Sequence, residues 1–197
     1  MNFQKPLAYR ARPKKLEEIV GQDHLIGPNG VIKKMVDNDK LFSLILYGAP
    51  GIGKTTIAEA VGEIYGLRTY KFNASTDRKS ELVEIVNASK NYGAILIIDE
   101  IHRMNKDIQD FLLPHVEKGD LLMVGLTTNN PYHSVNPAVR SRTHVLKLKP
   151  ISNEDIILRL KQVESEFKEE LTSTINEDVY QYIAISSNNE IRTAINS

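Results

Sequence analysis

The chain has 197 residues, a length that suits one large domain or two small ones. Hydrophobic residues make up 41% of it, enough to build a buried core, which excludes a disordered chain. The 25 basic and 25 acidic residues give a net charge of zero, which excludes a uniformly basic surface for nucleic acid.

Several cellular settings are excluded by simple features of the sequence. No apolar run approaches the length that crosses a membrane, and the N-terminus lacks the apolar core of a signal peptide. The absence of cysteine excludes disulfides and thiolate metal sites. We therefore predict a cytoplasmic protein without a membrane partner. Any DNA contact must use a local basic patch such as the one formed by Arg10, Arg12, Lys14 and Lys15; the alternative for this patch is a solvated face or contacts beside the nucleotide.

Hydrophobic patterns predict strands that alternate with helices. The predicted strands are Leu44–Tyr47, Thr69–Phe72, Ala94–Ile98, Leu121–Leu126 and His144–Leu148. The predicted helices between them are Thr56–Val61, Ser80–Ser89 and Asp107–Glu117. Asn105 is the expected N-cap of the third helix, in which Pro114 predicts a kink or an early end. This alternation is typical of an α/β fold, a parallel sheet flanked by helices.

Strand signals stop at Pro150. Ser152 starts a sequence typical of a capped helix, and further helical patterns run over Glu177–Ile185 and from Asn189 to the end. We therefore predict an α/β domain at residues 1–150 and a small all-helical domain at residues 151–197. Because the last pattern has no stop signal, we expect the helical domain to be truncated at its C-terminus.

A glycine-rich loop follows the first predicted strand and precedes a predicted helix. It fits the phosphate-binding template G-x-x-x-x-G-K-[ST]. The residues expected to contact phosphate are Gly48, Ala49, Pro50, Gly51, Ile52, Gly53, Lys54, Thr55 and Thr56. The glycines let backbone N–H groups point at phosphate oxygens, and the helix adds the positive end of its dipole. Lys54 is predicted to reach the β- and γ-phosphates and Thr55 to bind Mg²⁺; the alternative is an ordinary Gly/Pro turn.

Polar residues also lie next to the ends of three later predicted strands. Asp99 and Glu100 follow the most apolar strand, where one carboxylate would hold Mg²⁺ through water and the other would polarise the attacking water. Thr128 and Asn129 follow the next strand and could contact the γ-phosphate. Arg142 precedes the last strand, where a guanidinium can neutralise a transferred phosphoryl group. The alternatives are a solvated turn, a polar turn before proline and a surface arginine. Histidines show no metal-ligand spacing, so His102 is predicted to have a structural or supporting role.

Together these features resemble the AAA+ ATPases. The segment PLAYRARPKKLEEIVGQDHLIGPNG is similar to the first segment of the clamp-loader and Holliday-junction-motor branch, which lies over adenine. The runs DEIHRMNKDIQDFLLPHVEKG, TTNNP and NPAVRSR resemble the replication-associated recombination protein A family, whose eukaryotic relative is the Werner-helicase-interacting ATPase. The likeness covers essentially the whole chain.

The resemblance implies a P-loop AAA+ sheet with a helical lid, in which residues 1–30, including Ile19 and Val20, cover the adenine of ATP. It further implies that Lys54, Thr55, Asp99 and Glu100 act on phosphate, Mg²⁺ and water, with Thr128 or Asn129 as sensor 1, Arg142 as a finger acting on a neighbouring subunit's ATP, and Arg192 as sensor 2. Ala49 replaces a commoner proline. Asn189-Glu190 stands where the family has Gly-Asp, and Thr193 replaces its second arginine. The family's C-terminal oligomerisation region is not part of this sequence.

The expected function is ATP hydrolysis, with ATP and Mg²⁺, in replication-fork rescue and recombination. The expected partners are DNA as single strands, ends or forks, a single-stranded-DNA-binding protein and further copies of the chain, at the nucleoid. A clamp-loader subunit or a Holliday-junction branch-migration motor is the nearest alternative. A small-molecule kinase fits Glu100 beside Asp99 poorly, and a GTPase lacks an N-K-x-D run. A scaffold that holds ATP without hydrolysing it would not need Glu100 and Arg142.

Overall fold

The computed structural model describes residues 5–89, 93–170 and 175–197. In these residues one five-stranded parallel sheet has the order β2-β3-β4-β1-β5. Its strands are β1 (Leu44–Tyr47), β2 (Arg68–Asn73), β3 (Ala94–Asp99), β4 (Leu122–Thr127) and β5 (His144–Lys147). Each predicted strand is confirmed to within one residue at either end, and the predicted parallel α/β fold is confirmed with them.

Helices precede, connect and follow the strands. They are α1 (Leu7–Arg10), α2 (Asp23–Ile26), α3 (Val31–Asp37), α4 (Lys54–Ile64), α5 (Lys79–Ser89), α6 (Lys106–Lys118), α7 (Pro131–Ser134), α8 (Pro137–Arg140), α9 (Asn153–Glu166), α10 (Glu177–Ser186) and α11 (Ile191–Asn196). Short 3₁₀ turns lie at Leu16–Glu18 and Ile101–Arg103. Within the described residues, no helix combines the length and hydrophobicity that a bilayer crossing requires.

Helix α6 tests two of the local predictions. The Asn105 side chain accepts a hydrogen bond from the backbone N–H of Ile108, which confirms the N-cap. The early end at Pro114 is wrong, because the helix continues to Lys118 and ends at Gly119 in a left-handed C-cap. Burial of Leu112, two residues before Pro114, holds this part of the helix on the core.

The sheet is covered on both faces, as the apolar β3 predicted. One apolar cluster contains Leu46 and Ile97 of the sheet together with Ile57 of α4. The other cluster contains Leu96 and packs against α5 and α6. Because alternate residues of each strand point to opposite faces, each central strand contributes to both clusters.

After β5 the described residues form helices α9, α10 and α11. Ile156 of α9 and Ala194 of α11 belong to the same apolar cluster as Ile57 of α4, so the helices pack onto the α/β part. The N-terminal segment also contacts them, since the backbone N–H of Ala8 donates to the Asn196 side chain at 3.1 Å. The domain boundary at residue 150 remains a prediction.

Gln22 ties the N-terminal segment to the end of β5. Its side chain is fully buried, donates from Nε2 to the carbonyl of Lys149 at 2.8 Å and accepts from the Lys149 N–H at 3.0 Å. A longer contact from the same Nε2, 3.5 Å, reaches the carbonyl of Ile52 in the glycine loop. One amide side chain therefore fixes the segment, the strand end and the loop relative to each other.

Replacing Gln22 with alanine is expected to lower the free energy of unfolding by about 1–3 kcal/mol, because it removes these bonds and leaves a cavity at a buried position. Urea unfolding followed by circular dichroism measures the change. The matched control is Gln181→Ala on the exposed side of α10, which is expected to change stability by less than about 0.5 kcal/mol. Equal unfolding midpoints for the two variants would contradict this role for Gln22.

Candidate active site

The glycine loop connects β1 to α4 through an unusual backbone path. Gly51 and Gly53 have φ values of 71° and 102°, in the left-handed region where residues with a Cβ are strained. Such bends are typical of backbone nests that bind anions. Helix α4 begins at Lys54, directly after the loop, so the positive end of its dipole lies at the same place.

Lys54 lies folded against the loop and close to the carboxylates that end β3. Its Nζ donates to the carbonyl oxygens of Gly48 at 2.8 Å and Ala49 at 2.6 Å. Burial lowers the pKa of Lys54, whereas the charges of Asp99 and Glu100 act in the opposite direction. The loop lysine and the predicted acidic pair therefore belong to one electrostatic site.

Thr55 and Asp99 both line a small cavity at the carboxyl edge of the sheet. Asn73 at the end of β2 and Asp77 after it also line this cavity. A hydroxyl and a carboxylate oxygen are ligands that Mg²⁺ accepts, and Mg²⁺ is usually held by one or two carboxylates together with phosphate and water. Within the described ranges no group of three or more His, Cys, Asp or Glu residues could hold a metal on its own. The donor set thus fits Mg²⁺ carried in with a phosphate ligand.

Glu100 has a strained backbone at the end of β3. Its φ of 53° is left-handed, which costs a residue with a side chain about 1–3 kcal/mol, and such residues cluster at functional sites. Its backbone N–H donates to the Asp99 side chain at 3.0 Å. Its carboxylate faces Nε2 of His102 at 3.3 Å and Nε of Arg103 at 3.7 Å.

A cavity beside the loop, the main cavity of the candidate site, encloses about 770 Å³ when its open mouth is counted. The predicted site residues that line it are Ile19, Val20, Gly51, Ile52, Gly53, Lys54, Thr55, Thr56 and Arg192. The N-terminal segment and α11 therefore reach the same space as the loop.

The remaining predicted residues lie at its edges or away from it. Thr128 and Asn129 are exposed directly after β4. Arg142 does not line the main cavity; it forms an ion pair with Glu117 and donates to the carbonyl of Ala138 at 2.7 Å. The structure thus collects the loop, the acidic pair and Arg192, and leaves Arg142 on another part of the surface.

Arg159 was not predicted, although it lines the main cavity. Its side chain is 5% exposed, and it donates to the carbonyl of Ala11 and to the Gln162 side chain. Burial lowers the pKa of this guanidinium. Its signal in the sequence is an arginine at helical spacing between the buried Ile156 and Val163, on the apolar face of α9.

The turn before α11 explains one departure from the family pattern. Asn189 stands where the family has glycine, and its φ of 63° lies in the left-handed region, which asparagine tolerates better than most residues. Its side chain also donates to the carbonyl of Ile151 at 2.6 Å. The turn is therefore kept without glycine, and α11 carries Arg192 to the cavity.

Comparison with known proteins agrees with this geometry. The protein-family model for the Holliday junction DNA helicase RuvB P-loop domain matches residues 11–138. A solved structure of the Thermotoga maritima RuvB Holliday junction branch migration motor has a TM-score of 0.79 at 24% identity, over 94% of this chain and 63% of that one. At this identity the likeness shows the fold alone. The fold and the loop define the class of the protein, a P-loop AAA+ ATPase domain.

Sequence relatives narrow the class. Replication-associated recombination protein A of Bacillus subtilis is 41% identical over 197 residues, which is 98% of this chain and 47% of the relative. The Escherichia coli protein of that name is 35% identical over 208 residues, covering 100% of this chain and 46% of the relative. ATPase WRNIP1 of Dictyostelium discoideum is 33% identical over 206 residues, 99% of this chain and 24% of the relative.

The chain belongs to the replication-associated recombination protein A family of AAA+ ATPases, as the motifs predicted. It spans less than half the length of these three relatives.

Gly51→Ala is expected to weaken binding of a fluorescent ATP analogue at least about tenfold, because a Cβ there would lie 2.9 Å from the Glu190 side chain and would strain the loop. The matched control is Gly66→Ala, which has a φ of 60° and no neighbour within 4 Å of its added Cβ. The control carries the same kind of backbone cost, about 1 kcal/mol, but lies outside the site. If both variants lose the same affinity, or if neither loses any, the assignment of the loop as the phosphate-binding site is contradicted.

Proposed function

We propose that this chain is the ATP-hydrolysing part of a DNA-maintenance factor that acts in replication-fork rescue and recombination, with hydrolysis at the interfaces between subunits. The observation that carries the proposal is the meeting of Lys54, Thr55 and Asp99 around one loop, with Glu100 beside them. Phosphoryl transfer to water needs a cation that neutralises phosphate charge, ligands for the metal ion and a base for the attacking water, and these residues have the chemistry for each of the three roles.

Each residue of the site has its own role in ATP hydrolysis. Backbone N–H groups of the loop and Lys54 bind the phosphates of ATP, and Ile19 and Val20 cover the adenine. The Thr55 hydroxyl and the Asp99 carboxylate would hold Mg²⁺, which would offset the negative charge of the phosphates. Glu100 accepts a hydrogen bond from the attacking water and polarises it.

Two further groups act on the γ-phosphate within the subunit. Thr128 or Asn129, after β4, positions the attacking water or touches the γ-phosphate. Arg192, on α11, reaches the cavity from the helical side, so that movement of α11 would follow the state of the nucleotide. Both roles are carried by the family resemblance and by the positions of these residues at or near the loop.

Arg142 acts on the ATP of a neighbouring copy. Its location outside the main cavity of its own subunit supports this assignment, because the guanidinium would otherwise have no phosphate to contact. An arginine supplied from a partner raises the rate of phosphoryl transfer by about 10³–10⁵-fold in other systems. The protein in this proposal is a homo-oligomer.

The proposed DNA partners are single strands, ends or forks, and a single-stranded-DNA-binding protein is the proposed protein partner, at the nucleoid in the cytoplasm. The names of the curated relatives support a role in recombination at replication sites. The alternative is a clamp-loader subunit or a branch-migration motor, which would use the same catalytic groups; the family match to the RuvB P-loop domain over residues 11–138 favours it.

An ATPase assay on the full-length protein with single-stranded DNA, duplex ends, forks and four-way junctions tests the proposal. We expect stimulation by the first three and no preference for junctions, and no turnover in Glu100→Gln although it still binds ATP. Because glutamine keeps the shape of the side chain but not its charge, loss of turnover with binding intact isolates the step at the water. Stimulation by junctions alone would favour the branch-migration motor, and normal turnover in Glu100→Gln would remove Glu100 from the mechanism.

Mixing two inactive variants tests the interface. Lys54→Ala is expected to lose ATP binding and Arg142→Ala to lose hydrolysis, while each keeps the group that the other lacks. In mixed oligomers, sites that combine an intact Lys54 with a neighbour's intact Arg142 should recover measurable ATPase activity. Glu117→Ala is the control, because it breaks the ion pair of Arg142 without removing a catalytic group. If both variants are folded and assemble together but no activity returns, Arg142 does not act between subunits.

A further inference from the structure

His102 bridges the acidic end of β3 to the end of β4. Its Nδ1 lies 2.9 Å from Oγ1 of Thr127, and its Nε2 lies 3.3 Å from the carboxylate of Glu100. The side chain is only 13% exposed, so both ring nitrogens depend mainly on these protein partners. His102 sits in the 3₁₀ turn Ile101–Arg103, which directly follows Glu100.

The partners favour one tautomer of the ring. An ionised carboxylate only accepts hydrogen bonds, so the tautomer with its proton on Nε2 places an N–H toward Glu100. The Thr127 hydroxyl is buried, with the residue 1% exposed, and its oxygen already accepts the backbone N–H of Asn129 at 3.0 Å. The hydroxyl proton is then free to be donated to Nδ1 of a neutral imidazole. In this arrangement each donor has an acceptor.

Thr127 is connected to the phosphate loop as well. Its carbonyl accepts a hydrogen bond from the N–H of Gly48, the first residue of the loop, at 3.3 Å. One residue at the end of β4 therefore holds the start of the loop, the backbone at Asn129 and, through His102, the carboxylate of Glu100. These are the three parts that must be aligned for water to attack a phosphate.

We propose that His102 is a positioning residue that orients the Glu100 carboxylate and couples it, through Thr127, to the phosphate loop and the turn after β4. The inference rests on the proposed role of Glu100 in hydrolysis. Without the N–H of Nε2, the remaining ion-pair partner of Glu100 in the described residues is Arg103, which is 63% exposed and 3.7 Å away. The carboxylate would then turn toward solvent.

The experiment compares variants of the full-length protein. His102→Ala removes the bridge, Thr127→Val removes only the hydroxyl, and His102→Gln keeps a donor near the position of Nε2. We expect His102→Ala and Thr127→Val to lower kcat about 10–100-fold, the usual effect of losing an orienting partner, with affinity for a fluorescent ATP analogue unchanged within about twofold. His102→Gln should recover part of the loss. The matched control is Arg103→Ala, which removes the other charged neighbour and should retain most of kcat.

A second readout does not depend on turnover. Nitrogen-15 NMR of the histidine rings in nucleotide-free protein, with His102 assigned from the His102→Gln spectrum, should show the neutral tautomer protonated at Nε2. Thr127→Val should shift this tautomer balance toward that of an exposed histidine. Thermal unfolding of each variant shows that it is folded.

Two results would overturn the inference. One is a His102 ring in the wild-type protein that is protonated at Nδ1 or that shows no preference between the two neutral tautomers. The other is normal kcat in both His102→Ala and Thr127→Val while Glu100→Gln is inactive. If Glu100→Gln is itself active, the proposed function fails at Glu100, and the NMR result alone then decides whether the bridge exists.

Discussion

The parallel register of the sheet is the constraint on which the site depends. Because β1, β3 and β4 run in the same direction, their carboxyl ends meet at one edge, where the glycine loop begins. The hydrogen bond from the Gly48 N–H to the Thr127 carbonyl extends this ladder into the loop. A shift of one residue between β1 and β4 would turn every side chain of the shifted strand to the opposite face and would displace the loop relative to the acidic pair.

Charge placement at this edge follows from the same constraint. Burial disfavours the charge of Lys54, and the nearby charges of Asp99 and Glu100 favour it. A cation held in this way lies where the loop would bind phosphate oxygens. The opposite side of the cavity is formed by the N-terminal segment and α11, which Gln22 and Asn189 tie to the frame through backbone carbonyls.

Local patterns predicted most of the frame but not the contacts across it. The strands and the loop were found because their signals are local: apolar runs, glycines at fixed spacing and a cap at Asn105. Arg159 was missed because its relation to Ala11 joins residues far apart in the chain. The bridge through His102 also requires the β3–β4 pairing, which no local pattern reveals. Pro114 misled because packing of the surrounding helix outweighs one missing backbone donor.

A crystal structure of the protein with Mg²⁺ and a non-hydrolysable ATP analogue tests the central claim most directly. The account predicts a triphosphate inside the loop, within hydrogen-bond distance of its backbone N–H groups and of Lys54 Nζ. It also predicts a metal whose ligands include Thr55 Oγ1 and either the Asp99 carboxylate or a water that this carboxylate holds. A nucleotide bound elsewhere, or a metal coordinated without either residue, would contradict it.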